Sequence, residues 1–124
     1  MPKPTSKTTA RAPRLRKDPA RKQKPASVPY EEWLLERLKS PEEAAAYLEA
    51  ALDEGDQAIL MLALRQVAMA RGGVAKLARR SKLAREATYR MLSDTGNPEL
   101  RSLRALLRAA GLRLSVKPLA APAG

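Results

Sequence analysis

Residues 56–73 read DQAILMLALRQVAMARGG, and the apolar side chains Ile59, Leu60, Met61, Leu62, Leu64, Val67 and Met69 fall on nearly every side of a helical wheel. A helix that is apolar all round is normally a buried central one. The chain is therefore expected to wrap further helices around residues 57–71. Asp56 is placed to cap that helix, and Gly72-Gly73 to stop it. Leu and Ala dominate the remaining apolar content, while Phe is absent and only Tyr30, Trp33, Tyr47 and Tyr89 are aromatic. That balance favours packed helices over sheets.

The flanking stretches supply those helices. Residues 30–39 carry Tyr30, Trp33, Leu34 and Leu38 at helical spacing. Ser40-Pro41-Glu42-Glu43 fits a capping box, with Ser at N-cap, Pro at N1 and Glu at N3. The helix it opens turns Ala44, Ala45, Leu48, Ala51 and Leu52 inward and ends before Gly55. Two short periodic runs follow at 74–80 and 84–93. Asn97 and Pro98 then read as N-cap and N1 of a last helix, 99–110, with Leu100, Leu103, Leu106 and Leu107 on one side and Arg101, Arg104 and Arg108 on the other. Gly111 ends it. Residues 112–117 alternate Leu112, Leu114 and Val116 with Arg113, Ser115 and Lys117, which predicts a short β-strand. The expected fold is all-α, five to six helices with this strand appended.

Charge is distributed in blocks. Residues 1–29 hold nine Lys/Arg against one acid (net +8), residues 30–64 two against nine (−7), and residues 65–124 thirteen against three (+10). Basic blocks call for a polyanion, and the acidic one fits a basic protein or partly neutralises its own neighbours. Residues 1–29 have almost no bulky apolar side chain and read as a disordered basic tail, an arm for DNA phosphates or a solubilising extension. A small Pro/Ala-rich tail is expected at 119–124, leaving 30–118 as one domain. With no Cys and no His, disulfides, Cys/His zinc sites, thiol nucleophiles and histidine bases are excluded. No carboxylate or lysine pair forms a catalytic motif, so a non-enzyme without cofactor or metal is expected. No apolar run spans a bilayer and no signal-peptide core is visible, which points to a cytoplasmic protein.

The chemistry concentrates in VAKLARRSKLAREATYRML, residues 74–92. Its spacing is that of a DNA-reading helix-turn-helix: Leu77 and small Ala78 where the helices cross, Leu83 in the turn, and Thr88 and Met91 with Leu92 as anchors in the second helix. With those inward, Arg85, Glu86, Tyr89 and Arg90 point outward. Arg85 is positioned to pair with guanine O6/N7, Glu86 to accept from cytosine N4 or orient Arg85, and Arg90 to reach a further base or a phosphate. Lys76, Arg79, Arg80, Lys82 and Tyr89 suit phosphate contacts, which position without specifying. A plain basic helical hairpin, with Tyr89 half-buried as packing, is the alternative. The turn lacks the glycine such hairpins favour, so Lys82 either takes a left-handed conformation or the turn is drawn differently.

From about residue 42 to 118 the chain resembles the HigA-like addiction-module antidote proteins, a lambda-repressor-like helix-turn-helix family. The resemblance rests on AAAYLEAALDEGD at 44–56, VAMARGGVAKLAR at 67–79, LAREATYRML at 83–92 against the family's L-S-R-E-x-L-Y-x-x-L, and GNPELRSLRALLRAAGLRLSV at 96–116. It implies a homodimeric antitoxin that binds double-stranded operator DNA, represses its own operon and neutralises a basic toxin of the RelE/ParE superfamily. Lys82 stands where the family prefers Gly, Ala84 where it prefers a Ser cap, and Thr88 where it prefers Leu. A non-glycine residue in the left-handed region costs roughly 1 kcal/mol, and a lost cap about as much. Two other readings remain: a stand-alone prophage-type repressor, and a toxin-neutralising module whose DNA surface has decayed.

Overall fold

The computed structural model describes residues 29–119; the expected tails at 1–29 and 119–124 lie outside them apart from Pro29 and Leu119. Chain contacts divide the molecule after Tyr30, and the unit from Glu31 onward carries the architecture below. Six helices run in order: α1 Tyr30–Arg37, α2 Pro41–Glu54, α3 Gln57–Ala70, α4 Val74–Arg80, α5 Arg85–Met91 and α6 Leu100–Ala109. None is long and apolar enough to cross a membrane, and among the described residues no group of His, Cys, Asp or Glu is arranged to hold a metal ion.

The helix starts follow short-range chemistry. The Ser40 hydroxyl accepts from the Glu43 N–H at 3.3 Å, with Pro41 at N1. The return half of the capping box does not form, because the Ser40 N–H donates to the Arg37 carbonyl and Glu43 pairs with Arg37 at 2.8 Å. Asp56 accepts from the N–H groups of Ala58 (2.9 Å) and Ile59 (3.4 Å) and opens α3. At Gly72-Gly73 the axis turns by 83° into α4, through a left-handed Gly72 and a Gly73 N–H that closes on the Ala68 carbonyl.

The buried core comprises Leu34 of α1, Ala44, Leu48 and Ala51 of α2, Met61, Ala63, Leu64, Val67 and Ala68 of α3, Val74 and Leu77 of α4, and Leu106 and Leu107 of α6, with partly buried Met91 of α5 packed against it. Leu38, Leu92 and Ala110 join it from just past helix ends. α3 is central, as its composition predicts, yet it is not enclosed all round: Ile59, Leu62 and Met69 remain exposed. Ala45 and Leu52, read as inward, are exposed as well, and so is Leu100 on the leucine side of α6.

Two elements differ from expectation. α6 begins at Leu100 with an extended Glu99 before it and no side-chain cap, so Asn97 and Pro98 belong to the preceding loop. That loop is held by α3 rather than by its own turn chemistry. Gln57 Nε2 donates to the Gly96 carbonyl at 2.9 Å, and a Cβ on Gly96 would sit 2.1 Å from the Met91 carbonyl oxygen. The predicted strand at 112–117 is also absent. Residues 112–119 are irregular, with no strand among the described residues to pair with them, and an isolated segment has no ladder to join. Lys117 instead reaches Glu49 of α2 at 3.0 Å.

Candidate nucleic-acid interface

α4 and α5 pack against each other as a hairpin around buried Leu77, Ala78 and Thr88, with Leu83 half-buried in the turn. Leu92, not Met91, is the fully buried anchor at the far end; Met91 is half-covered. The Thr88 hydroxyl would be costly to bury alone. It donates to the Ala84 carbonyl at 2.8 Å, which lets threonine occupy an apolar position.

The glycine-free turn is a Schellman motif. Lys82 has φ +62°, its N–H donates to the Arg79 carbonyl (3.1 Å), and the Leu83 N–H donates to the Ala78 carbonyl (2.9 Å). α6 ends the same way, with Gly111 at the left-handed position, whereas α3 makes only the longer closure, Gly73 N–H to the Ala68 carbonyl, past Gly72 at φ +123°. Lys82 thus takes the conformation a glycine would adopt freely. Ser81 fixes the turn in place: its hydroxyl lies 2.6 Å from the Leu77 carbonyl and 3.2 Å from the Ala105 carbonyl of α6.

Every side chain singled out from the sequence is exposed: Lys76, Arg79, Arg80, Lys82, Arg85, Glu86, Tyr89 and Arg90. Residues 74–92 hold six cations and one acid, and among the described residues none of the six cations lies in an ion pair. Chain adjacency brings Arg79, Arg80, Lys82 and Arg85 around the turn. Lys76 stands apart at the start of α4, its stem lying over Gly72, and Arg90 lies at the far end of α5. Arg85 stacks on Tyr89, guanidinium to ring centre 5.8 Å, rather than pairing with Glu86. Tyr89 is 47 % exposed, so it is not core packing. The outer face of α5 is therefore a solvated, cationic and partly aromatic strip on a fixed hairpin, able to hydrogen-bond base edges and phosphate oxygens.

The side chains that tie distant elements together, one of them at the end of α5, were not evident from local sequence patterns. Arg65 of α3 donates to the Leu92 carbonyl at the end of α5 and to Asp94 at 3.1 Å. Arg71 donates to the Ala110 carbonyl at 2.9 Å and to the Lys39 carbonyl, tying the end of α6 to the α1–α2 turn. A cation near the end of an apolar helix was their only signal. Their partners are 27 to 39 residues away in the chain.

The family model described as a probable addiction module antidote protein matches residues 33–118. A protein of Haemophilus influenzae, described only as uncharacterized, is 34% identical over 82 residues, which cover 66% of this chain and 84% of that protein. No solved structure matches the chain. The match takes in α1 from Trp33 onward and the whole of α2 to α6, hairpin and C-terminal segment included, and on that basis the chain belongs to the addiction module antidote family.

Proposed function

We propose that this antidote binds double-stranded operator DNA through α4 and α5, used as a lambda-repressor-like helix-turn-helix, and represses its own operon as a homodimer. The observation that carries the reading is the outer face of α5: Arg85, Glu86, Tyr89 and Arg90 are all exposed on a hairpin whose six cations have no carboxylate partner among the described residues. Arg85, Glu86 and Arg90 read bases, while Lys76, Arg79, Arg80, Lys82 and Tyr89 hold phosphates. The basic residues 1–29 serve as an additional phosphate-tracking arm.

The other half of the function is neutralisation of a cognate toxin, a basic protein of the RelE/ParE superfamily. The supporting feature is the acidic block at 30–64, whose Glu31, Glu32 and Glu36 are exposed on α1. Family membership favours this paired role over a stand-alone repressor.

Gel shifts with the upstream DNA of the chain's own operon test the first half. Arg85→Ala is expected to lower affinity for the specific site about 10- to 100-fold, as loss of a bidentate base contact does, and to leave affinity for unrelated duplex nearly unchanged. Unchanged operator binding would overturn the assignment of α5. For the second half, co-expression with the adjacent gene should relieve the toxicity of its product.

A further inference from the structure

A groove of about 350 Å³ lies between α2 and α6, floored by α3 and bordered by the C-terminal segment. Its apolar lining includes Leu48, Leu52, Leu60, Leu103, Leu107 and Leu114. Large apolar side chains on the elements around it remain in water: Leu52 of the lining is 57 %, Leu100 of α6 64 % and Val116 of the C-terminal segment 96 % exposed. Patches of this kind on a small protein mark contact surfaces.

The two walls carry opposite charge. On α2, Glu42, Glu49 and Asp53 recur at i, i+7 and i+11, which is one ridge of a helix, and all three are exposed. On α6, Arg101, Arg104 and Arg108 form an exposed ridge within one turn of the groove-lining Leu103 and Leu107. Acidic α2, with Glu49 in the groove lining, and basic α6, with its arginines on the solvent side of the helix, therefore stand on either side of one apolar groove face. Rotating a second copy by 180° about the middle of this face sets its acidic ridge on the first copy's basic ridge, and the reverse, with the leucines between them. A two-fold interface requires this kind of self-complementarity.

We infer that this face is the homodimer interface: α2 of one copy lies against α6 of the other, and the two 112–119 segments pair antiparallel across the axis. The inference rests on the dimer reading above and names its surface. It also accounts for the missing strand. Residues 112–117 have the alternation of a strand and no partner within the described chain, and the Lys117–Glu49 pair holds them at the groove's edge. An antiparallel copy supplies the absent ladder and covers an open edge. The acids of α1 stay outside the interface, available to the toxin.

Sedimentation equilibrium of the full chain at micromolar concentration tests the inference, with two charge-reversed forms, Glu42→Arg/Asp53→Arg and Arg101→Glu/Arg104→Glu. All four positions are exposed, and helix content by circular dichroism checks that each form is folded. The unsubstituted chain is expected to be a dimer, and each reversed form to dimerise about a hundredfold more weakly, since like charges then face each other. An equimolar mixture of the two forms should recover a dimer, because every contact across the axis is again between opposite charges. Leu114→Asp/Val116→Asp should weaken the dimer at any salt concentration. A monomeric unsubstituted chain overturns both the interface and the dimer reading. Reversed forms that remain dimers overturn the interface alone, and if they also lose toxin binding the face belongs to the toxin. A mixture that stays monomeric removes the two-fold arrangement.

Discussion

Lys82 occupies the left-handed position of the α4–α5 turn at φ +62°, where its counterparts in α3 and α6 are glycines. The strain is accepted because two backbone hydrogen bonds close the turn around it and Ser81 ties the turn to α6. The side chain meanwhile projects an exposed ammonium beside Arg79 and Arg80. On the proposed DNA reading, stability and binding are opposed at this one residue. Lys82→Gly is expected to stabilise the domain by about 0.5–1 kcal/mol, raising its thermal midpoint by roughly 4 °C. The same substitution should weaken DNA binding equally on operator and unrelated duplex, with the salt dependence shallower by about one ion. Scanning calorimetry and anisotropy titrations over a salt series check the two effects separately. Loss on the operator alone would make Lys82 a base reader instead of a phosphate contact. The sequence posed this question through the missing glycine; only the carbonyl partners of Lys82 and Leu83 answered it.

Among the elements, α5 is the least secured by its own sequence. It is 7 residues long, and Ala84 stands at its N-cap with extended backbone and no side-chain acceptor for the orphan N–H groups. A serine fits that conformation without rearrangement. Ala84→Ser is expected to add about 1 kcal/mol of stability and to slow amide exchange at Glu86 and Ala87; unchanged exchange there would mean those groups are already satisfied in solution. What holds α5 now is tertiary: buried Thr88 and Leu92 against α4, and Arg65 on its C-terminal carbonyl. The starts of α2 and α3 were legible because Ser40 and Asp56 act on N–H groups two or three residues away. The start of α6 was misplaced because Gln57 and the cramped Gly96 shape the loop before it, and no local pattern encodes a contact 39 residues distant.

On the scale of the whole molecule, charge is segregated and so are the proposed partners: DNA at α4 and α5, toxin at the acids of α1, and a second copy between α2 and α6. The nine cations of residues 1–29 all lie outside the described residues, and their proposed role is to add phosphate contacts. Deleting them should lower affinity for every duplex by a similar factor and flatten the salt dependence. A loss confined to the operator, or no loss, would remove the arm. The sequence by itself determined six helical segments, most of their starts and stops, and which cations face outward. Helical periodicity, caps and left-handed stops all act within a few residues, so they are written locally. The tertiary structure decided which faces of α3 stay open, how the loop before α6 is held, and that 112–119 has no strand partner within the described chain. Those outcomes depend on side chains such as Gln57, Arg65 and Arg71 meeting carbonyls 27 to 39 residues away, and only the packed arrangement of the helices brings such groups together.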